Sequence, residues 1–412
     1  MSERVRIDHV GHQGDGVAVT PHGRVFVPYT LPGETVEIEP EGDRARLVKV
    51  LKPSAERIKP ICPYFGTCGG CALQHRQAKG YRAWKRALVV AALKQEGIET
   101  EVAPLIDAHG EGRRRAVLHA RRGAGSEKGK SLAVGFAGRR SHAIVPIEKC
   151  PVLAPALNNV FTIGSRVAEI VAPRDKPLDL HFTATDGGLD LDVRGSGPID
   201  RKMTSVLAQL AADEKLARIT RHGEMVTQLA SPVLPVGRAR VVLPPGSFLQ
   251  ATQAGEDALA RLVLEAAGKA RKAADLFCGV GTFALRLAGH AKVLAADSDA
   301  SAVSALREAA KAPGLKPVET MARDLFRRPL VAVELKACDL VVLDPPRQGA
   351  EMQTSELARG KIGKVIYVSC SPATFARDAR ILLDAGYRLS RVTPVDQFRY
   401  SAHVELVGIF ER

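Results

Sequence analysis

The chain has 412 residues, 45% hydrophobic and 25% charged, and its 59 Lys and Arg outnumber 45 Asp and Glu to give a net charge of +14. Such a length supports two or three domains with sizeable cores, and the composition excludes wholesale disorder and collagen-like repetition. No run approaches the roughly 20 apolar residues of a membrane-spanning helix, and Met1-Ser2-Glu3-Arg4-Val5-Arg6 alternates charges where a signal segment would be apolar, so a soluble cytoplasmic protein with no membrane partner is expected.

Residues 1–54 read as short strands separated by turn signals: Arg4 to His9, Gly11 to Gly16, Val17 to Thr20, His22-Gly23, Val25 to Tyr29, Pro32-Gly33 and Thr35 to Glu39. Five or so strands at this spacing predict a small β-barrel of the OB type. Such barrels often hold RNA, and a purely structural cap is the other reading. The surplus of cations favours a polyanionic partner, because Lys and Arg set against phosphates release counterions.

Residues 55–242 read as a mixed α+β region that opens on a cysteine cluster. Cys62, Cys68 and Cys71 fall within ten residues, and Cys150 follows far downstream. Seven cysteines in a cytosolic chain do not make a disulfide framework. A helix is predicted from Gln77 to Glu96, carrying Trp84, Leu88, Val89 and Leu93. Arg113, Arg114, Arg115, Arg121 and Arg122 then flank the alternating run Ala116 to Ala120, so several of them are candidates to face phosphates from one side of a sheet. A solvated basic face is the competing reading. Gly123 to Lys130 is expected to be a loop.

From 243 to 412 the pattern becomes strands alternating with helices. Ala273 to Phe277, Lys292 to Ala296, Asp339 to Leu343 and Lys364 to Ser369 are short apolar runs of the kind buried in a parallel sheet. Thr282 to Ala288, Ala300 to Ala310 and Pro372 to Ala385 read as helices. The region is thus a doubly wound, Rossmann-like α/β domain, in which ligands bind at the carboxyl ends of the strands. Asp275-Leu276-Phe277-Cys278-Gly279-Val280-Gly281 puts a glycine-rich turn after the first of these strands, and Asp297 ends the next, where a carboxylate can accept from ribose hydroxyls. The glycine spacing also fits a nicotinamide dehydrogenase. Asp344-Pro345-Pro346-Arg347 tips the balance, since rigid prolines fix a carboxylate and an arginine at the sheet edge as in methyltransferases of nucleobases. Cys370 reaches the same edge at a strand-to-helix junction, where a helix N-terminus favours the thiolate and nucleophilic attack. A lone cysteine is more often an inert buried one, and Cys278 and Cys338 are read that way.

With these elements together, nearly the whole chain resembles the TRAM-domain, iron–sulfur class of RNA uracil-5-methyltransferases, the 23S ribosomal RNA enzymes in particular. The resemblance lies in the N-terminal barrel, the C-x5-C-x2-C cluster with its distant Cys150, Asp275 to Gly281, Asp344 to Gly349, Ser369-Cys370-Ser371-Pro372 and His403-Val404-Glu405. It implies a TRAM-like barrel, a central region bearing the metal and RNA, and a catalytic domain that uses S-adenosylmethionine. Uracil C5 is a poor nucleophile until a thiolate adds at C6, so Cys370 is implied as the covalent catalyst, and Glu405 as the base that removes the C5 proton. Cofactor-binding roles are implied for Gln250, Phe277, Thr282, Asp297, Asp324 and Asp344, although Asp344 is also a candidate to face the uracil.

The sequence departs from the family pattern at Thr282 and Thr252, where Asn is common, at Asp297, where Glu is common, and along Phe398-Arg399-Tyr400-Ser401-Ala402. The resemblance further implies a [4Fe–4S] cluster on Cys62, Cys68, Cys71 and Cys150, with proline after Cys62 and Cys150 as in ferredoxins. Structural zinc on the same four thiolates is the alternative. The implied partner is 23S ribosomal RNA bound by a monomer, its target uridine flipped and its neighbours stacked on aromatics, for which Tyr64, Phe65, Tyr81, Trp84, Phe398 and Tyr400 are candidates. A transfer RNA substrate and a noncatalytic ribosome-assembly factor are the rival functions.

Overall fold

The computed structural model describes residues 2–21, 23–122, 132–173 and 176–412; the loop expected at Gly123 to Lys130 lies outside the described residues. The N-terminal strands are β1 (Glu3–Arg6), β2 (His9–Val10), β3 (Gly16–Thr20), β4 (Gly23–Val27), β5 (Thr35–Glu41) and β6 (Arg44–Lys52), hydrogen-bonded in the order β1-β5-β6-β4-β3-β2. The two outer strands are successive pieces of one segment. Between them Ile7 N–H donates to Glu34 O and Asp8 N–H to Val17 O, so the sheet curls into a half-barrel. Ile7, Val25, Val27, Val36 and Ile38 fill its inside, as the period of two dictates.

The middle of the chain supplies α1 (Ala78–Gln95), β7 (Ile106–Asp107), β8 (Arg115–Arg122), β9 (Leu132–Ala137), β10 (Ile144–Pro146), α2 (Val160–Val171), β11 (Leu178–Thr185), β12 (Gly188–Arg194), α3 (Arg201–Asp213), β13 (Leu216–Arg221) and β14 (Glu224–Gln228). A seven-stranded sheet runs β10-β9-β8-β11-β12-β13-β14. Along β8, Ala116, Leu118 and Ala120 are buried beneath α2, while Arg115, Val117, His119 and Arg121 alternate to the other face. The expected row of phosphate-facing arginines needs one correction. Arg114 is 6% exposed and turned inward, its guanidinium donating to Gln250 O at 3.1 Å, to Gln253 Oε1 at 2.7 Å and to the Glu256 carboxylate.

A hairpin of β15 (Val233–Val236) and β16 (Ala239–Val242) leads into α4 (Gln253–Ala267), β17 (Lys272–Leu276), α5 (Ala284–Leu287), β18 (Lys292–Asp297), α6 (Ala300–Ala309), β19 (Val318–Ala322), α7 (Ala332–Leu335), β20 (Leu340–Leu343), α8 (Glu351–Arg359), β21 (Lys364–Ser369), α9 (Pro372–Asp384), β22 (Arg388–Asp396) and β23 (Glu405–Glu411). These strands form an eight-stranded sheet in the order β19-β18-β17-β20-β21-β23-β22-β7. β17 to β21 are parallel and β23 is antiparallel to both its neighbours. Both faces are covered, which is why the strands read as continuous apolar runs. Leu340 and Val342 enter one core, and Val341 and Leu343 enter the core on the opposite face. The strand order reverses between β17 and β20, the crevice where such sheets take ligands.

α1 occupies nearly the predicted span and packs against α9 of the C-terminal sheet, and β7 is that sheet's edge strand. Glu256 is the polar lock between the central and C-terminal sheets: it is 1% exposed and also receives Arg286 Nη2 at 2.7 Å. Glu256→Gln leaves the buried Arg114 guanidinium without its counter-charge and Arg286 with Asp257 alone, and is expected to destabilise the protein by about 3 kcal/mol, measurable as a lower denaturant midpoint with an unchanged slope.

Candidate active site

Four strand ends build the site. At the end of β17, Phe277 turns the chain with φ +64°, a left-handed conformation unusual for a residue with a Cβ. Gly279 follows at φ +51°, and a Cβ added there meets nothing within 4 Å, so the turn faces open space. Gly281 is different: a Cβ there would come within 2.4 Å of Leu306 Cδ1, so only glycine fits. Asp297, ending β18, accepts from Gly279 N–H and Asp299 N–H, both at 2.9 Å, which fixes its carboxylate beside the glycine turn. Thr282 lies half-buried just before α5. Asp324, beyond β19, accepts from Phe326 N–H at 3.0 Å and Arg327 N–H at 3.2 Å. The Phe326 ring lies 5.2 Å from that of Phe277, so β17 and the β19 loop share one aromatic wall.

Asp344 ends β20. Burial and the neighbouring carboxylates of Glu405, Asp275 and Asp297 push its carboxyl well above the ordinary range. An amide chain reaches it: Gln397 Nε2 donates to Gln250 Oε1 at 2.6 Å, and Gln250 Nε2 donates to Asp344 Oδ2 at 3.1 Å. Thr252, two residues after Gln250, instead caps α4 by accepting from Gly255 N–H and donates to Ala108 O.

Cys370 and Glu405 meet because of strand register. Ser369 of β21 pairs with Leu406 of β23, so the residues that follow and precede them, Cys370 and Glu405, stand opposite at the sheet edge. The expected low thiol pKa is not found. Burial, Glu405 and Asp344 push the Cys370 thiol up to about 12, outweighing Arg347. Ser371, as the N-cap of α9, takes the Thr374 N–H itself. Glu405 is 3% exposed, and burial pushes its carboxyl up to about 7 against the lowering influence of Gln397, Arg347 and Lys85. Cys370 opens onto a cavity of about 510 Å³ shared with Gln13, Arg347, Ala402 and His403. Arg347 donates to the His403 ring at 2.9 Å.

Cys62, Cys68, Cys71 and Cys150 all carry free thiols and ring a second cavity of about 510 Å³, together with Arg113, Ala402 and His403. Gly70 N–H donates to Cys68 Sγ at 3.4 Å, and Arg113 favours the thiolates of Cys68, Cys71 and Cys150 against the opposing effect of burial. Among the described residues, no three His, Cys, Asp or Glu converge closely enough to hold a single ion. Ala72 and Leu73, next in the loop, donate their N–H groups to Tyr400 O at 2.7 and 3.1 Å. Of the aromatics considered for stacking, Tyr81 and Trp84 are core residues at 5% and 6% exposure. Tyr64, Phe65, Phe398 and Tyr400 are half-buried, with the Arg113 guanidinium over the Phe398 ring. The 68%-exposed Phe248, under Arg115, was not singled out by pattern.

A doubly wound sheet with these groups at one edge defines a methyltransferase-type site, and comparison with known proteins bears on its class. The family model for tRNA (uracil-5-)-methyltransferases matches residues 234–412. A protein of Caulobacter vibrioides named as an uncharacterized RNA methyltransferase is 48% identical, covering 98% of this chain and 99% of its own. The 23S rRNA (uracil(1939)-C(5))-methyltransferase RlmD of Shewanella sp. (strain ANA-3) is 31% identical over 98% of this chain and 94% of its own. The tRNA (uracil-54, C5)-methyltransferase of Pyrococcus abyssi, solved with S-adenosyl-L-homocysteine, superposes with a TM-score of 0.74, 22% identity and full coverage of both chains, a likeness of fold. The chain belongs to the RNA (uracil-5-)-methyltransferase family. It is an S-adenosylmethionine-dependent enzyme that modifies RNA.

Pattern reading passed over Gln397 and Lys85. Gln397 carries no motif, whereas Lys85 had a readable signal, a lysine on the stripe Tyr81, Lys85, Val89 and Ala92 that α1 buries. The raised Glu405 carboxyl has a thermodynamic consequence. Folding favours its protonated form, so stability falls as pH rises from about 4.5 to about 7 and stays lowered above that. Glu405→Gln is therefore expected to be more stable than wild type by roughly 3 kcal/mol at pH 8, a difference that disappears near pH 4 in denaturant titrations.

Proposed function

We propose that the protein methylates C5 of a uridine in 23S ribosomal RNA through a covalent adduct between Cys370 and C6. The observation that carries this reading is the opposition of a cysteine and a buried carboxyl across β21 and β23, beside a carboxylate-lined ligand crevice. Cys370 loses its proton to the medium and adds to C6, and the C5=C6 electron pair moves toward O4, leaving C5 nucleophilic. S-adenosylmethionine, when bound, supplies the methyl group. Glu405 then takes the C5 proton, and the electrons of that C–H bond restore the ring double bond and expel the thiolate. With a carboxyl near 7, Glu405 is a stronger base than an ordinary glutamate yet still largely ionised just above neutrality.

Gln250, Phe277, Thr282, Asp297, Asp324 and Asp344 are the residues we assign to the cofactor. The open space at Gly279 and the fixed Asp297 carboxylate support the fit. The choice of 23S ribosomal RNA rests on the full-length similarity to the RlmD protein. Arg115, Arg121 and exposed cations elsewhere on the +14 chain would meet the phosphates, giving an affinity that falls steeply with salt.

We further assign a [4Fe–4S] cluster to Cys62, Cys68, Cys71 and Cys150. A cubane spreads its four thiolates around a body, whereas zinc gathers them to about 2.3 Å from one point. Thiols ringing a cavity and facing a guanidinium suit the former. The cluster's place is structural, holding the Cys150 turn to the Cys62–Cys71 loop. Protein prepared without oxygen is expected to be brown and to contain four irons; a colourless, zinc-loaded, fully active protein would overturn the assignment.

The test of the reaction is tritium release from RNA labelled at uracil C5. Wild type with S-adenosylmethionine should release tritium from 23S ribosomal RNA and not from transfer RNA, and Cys370→Ala should release none. Glu405→Gln should accumulate a methylated protein–RNA adduct on denaturing gels. Both reacting groups must be ionised, so the wild-type rate should rise with pH through about 7 and go on rising toward pH 9.

A further inference from the structure

We propose that Lys85 is a positioning residue for this reaction, its ammonium group fixing the loop between β22 and β23 in the shape that presents Glu405 to Cys370. The proposal rests on the reading of Glu405 as the base. Lys85 projects from α1 and is 0% exposed. Its Nζ donates to Asp396 Oδ1 at 2.9 Å, to Phe398 O at 3.3 Å and to His403 O. These acceptors are the last residue of β22, the second residue of the loop and the second residue before Glu405. A lysine ammonium has three N–H donors, and here all three are spent on closing one loop across its base. One turn earlier on α1, Tyr81 donates its hydroxyl to Asp396 Oδ2 at 2.6 Å and accepts Tyr400 N–H at 2.8 Å. Tyr400 is held at φ +66°, a conformation that persists only when its surroundings impose it.

Stability alone does not account for the lysine. A buried ion pair gains little over a well-packed apolar pair, because desolvating both charges offsets their attraction. What an apolar residue cannot do is bind two backbone carbonyls five residues apart and place a positive charge near the base. The groups that face Glu405 come from several places: Asp344 and Arg347 from the segment after β20, Cys370 from just beyond β21, Gln397 from the start of the loop after β22, and Lys85 from α1. Arg347 is exposed and open to screening by salt, whereas Lys85 is dry, so its field at Glu405 persists. That field favours the carboxylate, the form that accepts a proton. α1 also packs against α9, the helix that follows Cys370, so one helix braces both reacting groups.

The test uses K85M/D396N, which removes both charges and keeps the core filled. It should bind RNA and S-adenosylmethionine with KM values within about twofold of wild type and lose about 100-fold in kcat at pH 7, the scale of a misplaced reacting group. The acid limb of its kcat profile should move to higher pH, because the cation that favours the Glu405 carboxylate is gone. A merely structural role lowers kcat equally at every pH, so an unmoved limb overturns the proposal. Tyr81→Phe keeps both charges but removes the hydrogen bonds to Asp396 and from the Tyr400 N–H; it should lose at least about tenfold in kcat, the scale of lost hydrogen bonds, with the limb in place, and an unchanged kcat would also overturn the proposal. Glu405→Gln separates the two readings. If it turns over normally the base assignment itself fails, whereas adduct trapping with an unmoved K85M/D396N limb removes the role of Lys85 alone.

Discussion

The eight-stranded sheet is covered on both faces, and from that constraint the rest of the site follows. Strands buried between two cores cannot carry polar side chains along their length without a cost of several kcal/mol each, so the polar groups are confined to their ends. Phe277, Asp297, Asp344 and Cys370 all stand at or just beyond the carboxyl ends of parallel strands. One exception is instructive: Asp275, inside β17, is 0% exposed, and burial pushes its carboxyl up to about 8. It accepts Ala284 N–H at 2.7 Å and so holds the first turn of α5 behind the glycine loop. β23 breaks the parallel pattern, and only because it runs antiparallel does its first residue, Glu405, arrive at the edge where β21 delivers Cys370.

The cysteine loop joins what the sheets leave separate. Gly69 N–H donates to Ala137 O of the central sheet, and Ala72 and Leu73 bind Tyr400 of the catalytic loop. Asp15 of the half-barrel accepts from Arg140 Nη2 at 2.8 Å and from Arg139, both in the turn after β9 that the cysteine loop contacts. Ala402 and His403 line both the cysteine cavity and the cavity at Cys370. A metal clamp there would close a long loop of chain, where cross-links gain most against the unfolded state, and it would do so one residue layer from the reacting groups.

The site is held at a cost to stability. Asp275, Asp344 and Glu405 are carboxyls gathered in one buried region, and each is pushed upward by burial, with Asp344 and Asp275 raised further by neighbouring negative charge. Such an arrangement weakens the fold near neutral pH and supplies a base of suitable strength, the usual exchange of stability for function. Burial, with Glu405 and Asp344 beside it, holds the Cys370 thiol protonated in the free protein, so its activation waits for a bound substrate or a higher pH.

By itself the sequence determined the α/β alternation, the positions of β17, β18, β20, β21, β23 and α1 to within a residue or two, and the motifs that set Asp344 and Cys370 apart, while Glu405 stood out only through the family resemblance. These were legible because apolar periodicity and turn chemistry act over short stretches of chain. The tertiary structure decided what depends on partners distant in sequence. The half-barrel shows six strands where about five were expected, because its first strand breaks at Ile7 and Asp8 to pair on both sides. Arg114 turned from a presumed phosphate contact into a buried lock, since its partner Glu256 lies on α4, more than a hundred residues further along the chain. The Cys370 thiol moved up where a helix terminus had implied down, because the fold buries it and sets the carboxyls of Glu405 and Asp344 beside it. Burial and electrostatics are sums over neighbours, and a linear pattern names the residue without naming the neighbours.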